Sequence, residues 1–171
     1  MKSRNQGFSF LELVVVLASL ALVAGVLVPR VSTQMAGARD ARRLAAIETV
    51  RQAVDRYYRD HGEYPAPHQN ASYGGWDVSH DGDFVRVLRD EGYLEEELMD
   101  PVNDETYHYR YYVYDQGSYG CSGTTRFYVL GIRNFESAGF AAQNTGSFQC
   151  ASRNWGSEFA YVTGGGATPD Q

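Results

Sequence analysis

From Phe8 to Val28 the chain runs for 21 residues with one charge, Glu12, and small or mildly polar breaks only at Ser9, Ser19 and Gly25. At about 1.5 Å of rise per residue this run makes a helix of about 31 Å, enough to cross the hydrocarbon core of a bilayer. Lys2 and Arg4 are the only charges ahead of it. They favour the cytoplasmic side and send the C-terminus outward. From Ala38 to Asp60 the pattern becomes amphipathic: Ala41, Leu44, Ile47, Val50 or Val54, and Tyr57 recur at three- to four-residue spacing. Arg51, Asp55 and Arg59 follow one another at four-residue steps on the opposite side. The two patterns predict one long helix from about Phe8 to Asp60, softest at Gly25, Pro29 and Gly37. Gly62 stops it, with Pro65 and Pro67 just beyond.

Gly62 to Asp81, rich in Pro, Gly, Asn and Ser, reads as loop. Asp83 to Glu91 has Phe84, Val87 and Leu88 on one helical face and Gly92 as a stop, so a short helix is expected there. Leu94 to Asp104 is an acidic loop, and then the period changes to two. Tyr107 to Tyr114 predicts a strand with Tyr107, Tyr109, Tyr111 and Val113 on one side. Arg126 to Ile132 predicts a second, Phe159 to Val162 a weaker third, and Gly164 to Gln171 a flexible tail. The expected fold class is α+β. A long N-terminal helix, an apolar stalk followed by an amphipathic half, packs the latter on a small antiparallel sheet of three or four strands.

Charge is uneven along the chain. Residues 1–60 carry nine of the fifteen Lys and Arg and a balance of +4, whereas residues 62–171 carry a balance of −10. A segment that acidic repels phosphate backbones, which argues against sequence-independent nucleic-acid binding by it. Thirteen tyrosines point to a strand-rich, partly wet surface. The two cysteines, Cys121 and Cys150, lie in the distal third. If the chain is exported a disulfide is the default pairing, closing a loop of about 30 residues for roughly 3–4 kcal/mol. In a reducing compartment they are two buried thiols instead.

The strongest chemical signal is Gln6-Gly7-Phe8-Ser9-Phe10-Leu11-Glu12-Leu13. An acidic side chain deep in a bilayer costs about 2.5–3.5 kcal/mol on insertion scales, and the apolar segment offers Glu12 no partner of its own. A cut after Gly7 exposes a new ammonium on Phe8, one helical turn from Glu12. A neighbouring copy then presents that ammonium to this carboxylate, an ion pair that sets axial register.

Gly7-Phe8 followed by Glu12 resembles the class III signal of type IV prepilins. Pro29 is similar to the proline such subunits carry about twenty residues into the mature chain. Asp60-His61-Gly62-Glu63-Tyr64-Pro65 resembles the helix end of the major pseudopilins of type II secretion. Gly92-Tyr93-Leu94, Asp100-Pro101 and Tyr128-Val129-Leu130-Gly131 fit the same branch. The resemblance is specific over residues 1–65, looser over 92–132 and weak elsewhere. It implies a leader at residues 1–7, a transmembrane and filament-core helix at 8–28, its amphipathic continuation at 29–61 and a globular head at 62–171. It further implies that prepilin peptidase cleaves after Gly7 and methylates Phe8, and that Glu12 is the assembly glutamate. The partners implied are an inner-membrane assembly platform with its ATPase and further copies of the chain in a helical filament. The chain would begin in the cytoplasmic membrane and end in an extracellular surface filament.

Other readings carry less. Ala36-Gly37-Ala38 is an A-x-A-like signal-peptidase site, but it lies too far past Val28 for the usual geometry, and an ordinary signal peptide does not retain Glu12. Asp77, Asp81 and Asp83, and separately Asp100, Asn103, Asp104 and Glu105, form acidic stretches able to offer oxygen ligands to Ca²⁺. Neither has a helix–loop–helix calcium spacing, and both are expected to be solvated turns, so no cofactor is expected. His61, His68, His80 and His108 show no zinc-like spacing, and the cysteines form no C-x-x-C pair. No G-x-S-x-G elbow occurs, so an enzyme is not expected. Asn70-Ala71-Ser72 fits a glycosylation acceptor. Three functional classes stay open: a pilus subunit, a pseudopilin of a secretion system, and a minor tip protein that binds sugar or DNA.

Overall fold

The computed structural model describes residues 9–166, without the side chains of residues 26–30. The chain divides into two compact units, residues 1–36 and 37–171. Helix α1, Phe10–His61, is continuous, so neither Gly25, position 29 nor Gly37 interrupts it. It ends where expected: Gly62 takes a left-handed φ of 74°, and its N–H donates to the Tyr58 carbonyl at 2.9 Å.

In the second unit one stripe of α1 leaves water. Ile47, Val50, Val54 and Tyr57 are buried at helical spacing, with Ala53 beside them. Towards the N-terminus the stripe continues at Arg43 and Asp40, not at Ala41, which is exposed. The expected charge ladder is shorter than predicted. Arg51 bridges Glu48 at 2.7 Å and Asp55 at 3.0 Å, and Arg59 joins no ion pair among the described residues.

The stripe packs on a four-stranded antiparallel sheet in the order β1-β2-β3-β6. Here β1 is Asp77–Val78, β2 Tyr109–Tyr114, β3 Phe127–Ile132 and β6 Tyr161–Gly165. Two short helices, α2 (Arg86–Asp90) and α3 (Ala138–Gln143), and a hairpin of β4 (Gln149–Cys150) with β5 (Arg153–Asn154) complete the unit. Along β2 every second residue is buried, Tyr109, Tyr111 and Val113, and these face the α1 stripe together with Phe84, Leu88 and Leu94. On the central strand β3 all six residues are buried. A strand with no polar position needs cover on both faces. The second cover is a separate core of Trp76, Val78, Phe127, Val129, Phe148, Trp155 and Phe159 with the two cysteines. Cys121 and Cys150 are joined, Cα to Cα 4.8 Å, pinning β4 and the turn after β2 over that second face.

The tyrosines divide as a partly wet set: Tyr109, Tyr111 and Tyr128 are fully buried, the Tyr111 hydroxyl donating to the Pro65 carbonyl at 3.0 Å, whereas Tyr112 and Tyr114 are half-buried and Tyr119 is exposed. One expectation changes here. The expected flexible tail begins instead as β6, with Gly164 and Gly165 paired to Val129 and Tyr128. A Cβ on Gly164 would lie 2.4 Å from the Tyr128 carbonyl oxygen and 2.6 Å from the Phe148 ring. The glycine run serves close packing rather than mobility.

Asp77 is no solvated turn either. It is fully buried in β1; one oxygen accepts the N–H groups of His68 at 2.8 Å and Val85 at 3.1 Å, and the other has no partner. Burial pushes its carboxyl up to about 7; the two N–H donors work against that shift, and Asp81 and Asp83 add to it. Because the folded-state value is raised, the neutral acid is the form the fold favours. Stability is full below the unfolded value near 4 and declines as pH rises through about 7. Asp77→Asn keeps a carbonyl acceptor without a charge. Its melting temperature is expected to vary less between pH 5 and 8 than the parent's and to exceed it at pH 8, at roughly 2–4 °C per kcal/mol. Parallel curves for the two proteins would exclude a buried Asp77 charge as the cause.

Candidate functional site: the N-terminal helix and its anchorage

The first unit is, in its described part, the beginning of α1. Phe10, Leu11, Leu20 and Leu22 are 82%, 71%, 59% and 75% exposed, and Leu13 to Leu17 and Val23 are exposed as well. These positions cover every side of the helix. A helix apolar all round is stable only when buried or in lipid, so this surface requires a covering. The Ser19 hydroxyl is satisfied within the helix, Oγ donating to the Val15 carbonyl at 2.8 Å. Glu12 lies in the first turn, where the helix dipole favours an anion. It is exposed, and among the described residues it makes no hydrogen bond or ion pair.

The predicted processing residues Gly7 and Phe8 lie outside the described residues. Among those described, no helix is long and apolar enough to cross a membrane. That differs from the expected span of Phe8 to Val28. Ser9 to Gly25 reaches only about 25 Å at 1.5 Å per residue, and Phe8 and the side chains of 26–28 fall outside the description.

The second unit holds α1 by a charge cluster that sequence patterns did not single out. Arg43 is fully buried. Its Nε and Nη2 donate to the two oxygens of Asp100 at 2.6 and 2.8 Å, and Nη1 to Asp40 at 2.6 Å. Glu136 reaches the same guanidinium at 2.7 Å and takes two hydrogen bonds from Arg39. Asp40 also accepts the N–H groups of Glu136 at 3.0 Å and Ser137 at 2.8 Å, just ahead of α3. Tyr107 lies under the Arg43 guanidinium, 4.9 Å from ring centroid to Cζ. Burial opposes the Arg43 charge, but the bonds to Asp100, Glu136 and Asp40 outweigh it and raise its pKa. The Arg39 hydrogen bonds are the main cause that brings Glu136 down to about 2. Asp100, expected as part of a solvated acidic turn, is thus a buried ion-pair partner. The available signal was positional: residues 40 and 43 continue the buried stripe of α1 by steps of four and three.

Other candidates stay apart. Asp77, Asp81 and Asp83 do not converge, and no group of three or more His, Cys, Asp or Glu among the described residues is placed to hold a metal ion. The Asn70 amide of the glycosylation-like triplet is engaged in its own turn, accepting from the Ser72 N–H and donating to Asp81.

Three relatives match part of the chain. The fimbrial proteins of Neisseria meningitidis serogroup A and serogroup B are each 31% identical over 71 residues, 42% of this chain and 42% of theirs. The type IV major pilin protein PilE1 of Neisseria gonorrhoeae is 26% identical over 91 residues, 53% of this chain and 51% of its own. Over these stretches the chain is similar to type IV pilins. It spans about half the length of the relatives it matches. No family model matches the chain, and no solved structure does.

The buried charges of the cluster supply a stability test. Arg43→Ala leaves Asp40 and Asp100 buried without their cation, and a loss of about 3–5 kcal/mol is expected by chemical denaturation. Arg51→Ala, at a half-exposed position, is expected to cost under about 1 kcal/mol. Equal losses would mean that the cluster contributes nothing specific.

Proposed function

We propose that this chain is a type IV pilin, made as a membrane-held precursor, trimmed after Gly7 and assembled through α1 into an extracellular helical filament. The observation that carries the reading is the uncovered apolar surface around the first turns of α1, with Glu12 alone among them. Such a surface needs lipid before assembly and the same surface of neighbouring copies afterwards. Assembly then exchanges one apolar environment for another, with little net hydrophobic gain. Register therefore has to come from a polar contact. Glu12 and the Phe8 ammonium of the next copy supply it, because each alone is costly in hydrocarbon and together they neutralise. In this scheme residues 1–7 are the leader, 8–28 the filament core, 29–61 the continuation and 62–171 the head. Prepilin peptidase, an assembly platform and its ATPase complete the machinery. The relatives' names, fimbrial protein and type IV major pilin, support a pilus subunit over a secretion pseudopilin.

Glu12→Ala is expected to be processed normally yet to yield at least about tenfold fewer filaments in sheared fractions and electron micrographs. Replacing Gly7 is expected to block cleavage, leaving a precursor heavier by the seven-residue leader on mass spectrometry. Normal filaments from the Glu12 variant would sink the ion-pair reading, and a mature chain beginning anywhere but Phe8 would sink the processing reading.

A further inference from the structure

Where β2 leaves the sheet, a groove of about 520 Å³ is lined by Gln69, Tyr112, Tyr114, Asp115, Tyr119 and Arg126, among others. Tyr112 and Tyr114 are two residues apart on β2, share its outer face and place their ring centroids 4.5 Å apart. Tyr119 meets Tyr114 edge-on at 5.5 Å. The residue is 40% exposed, and its backbone is left-handed, φ 56°, a conformation costly for a bulky residue. Arg153 fixes the ring there, donating to the hydroxyl at 2.8 Å and lying 4.8 Å over its centroid. Asp115 and Arg126 pair at 3.1 Å across the groove, both largely exposed, so each keeps donors or acceptors free towards solvent. The ladder of β1 on β2 stops at Asp77 opposite Tyr111, so the β1-side edge of β2 beyond it carries no strand partner.

We propose that this groove binds a neutral saccharide. Tyrosine faces carry negative charge density and stack on the C–H faces of a pyranose, while the hydroxyl of each ring can stay wet. The carboxylate of Asp115, the fork of Arg126 and the amide of Gln69 match the adjacent hydroxyls of a sugar, which act as donors and acceptors at once. The paired charges cancel, and residues 62–171 carry −10, which disfavours an anionic ligand. A purely apolar ligand would strand the polar groups of the lining. The open edge of β2 is three residues long, shorter than the usual strand of about five to six, which disfavours an added strand as the occupant. The proposal does not depend on filament formation, since every residue involved belongs to one copy.

The test uses the full chain in a detergent without a sugar headgroup, such as lauryldimethylamine oxide. Saturation-transfer NMR is recorded with cellotetraose, maltotetraose and lacto-N-tetraose, with 3′-sialyllactose and inorganic phosphate as charged controls. Trp155, whose ring lies 5.5 Å from both Tyr114 and Tyr119, gives a fluorescence titration in parallel. At least one neutral oligosaccharide is expected to receive saturation on its ring protons. Tyr112→Leu is expected to weaken it about tenfold and Asp115→Asn by a smaller factor. Should Tyr112→Leu fail to fold, Tyr119→Ala removes an exposed ring instead, with the same expected loss. Absence of transfer to any neutral probe at about 10 mM overturns the proposal. So does affinity unchanged by both the tyrosine and Asp115 substitutions, or binding confined to 3′-sialyllactose or phosphate.

Discussion

Ile47, Val50, Val54 and Tyr57 leave water because β2 and β3 present Tyr109, Tyr111, Tyr128 and Leu130 to them. Most other features of residues 37–171 follow from that contact. The helix stripe covers one face of the sheet only, and β3 is apolar on both. A second cover is then obligatory, and the chain builds it from the disulfide-closed segments around Trp155. The disulfide thus acts where the layer is built from short segments, β4 and β5 being two residues each. Short segments bury too little to hold themselves, so a covalent restraint on the unfolded chain contributes most there.

Within α1 the same rule appears in two forms. Where the sheet covers it, only one stripe is apolar; in residues 10–25 no side of the helix is polar enough to face water. Helical propensity is similar in both stretches, so the difference lies in what each is meant to touch. The charge cluster at Asp40, Arg43, Asp100 and Glu136 stands at the start of the covered stripe. Apolar contacts tolerate sliding by a fraction of a turn, whereas a fully buried guanidinium with three carboxylates has one geometry. Two of those carboxylates also take backbone N–H groups, at Glu136 and Ser137 and at Val102 and Asn103. The cluster therefore fixes two loops as well as the helix.

The long helix, its stop at Gly62, the two main strands and the pairing of Cys121 with Cys150 were legible because each rests on local periodicity or on simple cysteine counting. Asp77 and Asp100 were misread as solvated because burial depends on what folds over a residue, and neighbouring acidic residues look alike in a row of letters. Gly164 and Gly165 were misread for a related reason. Flexible linkers and strands that lie against aromatic rings both call for glycine, one to gain freedom and the other to remove a Cβ.

By itself, then, the order of residues determined the helix and its change from uniformly apolar to striped, the place of Glu12 near its start, and the alternation of β2. Those depend on neighbours three or four positions away, or two, which a linear reading contains. Only the tertiary structure decided which polar groups are buried, that the sheet has two covers, and that Tyr112, Tyr114 and Tyr119 converge on Asp115 and Arg126. Those properties arise from contacts between segments far apart in the chain, and the free energy of a charge or a ring depends on the whole set of atoms that displaces its water.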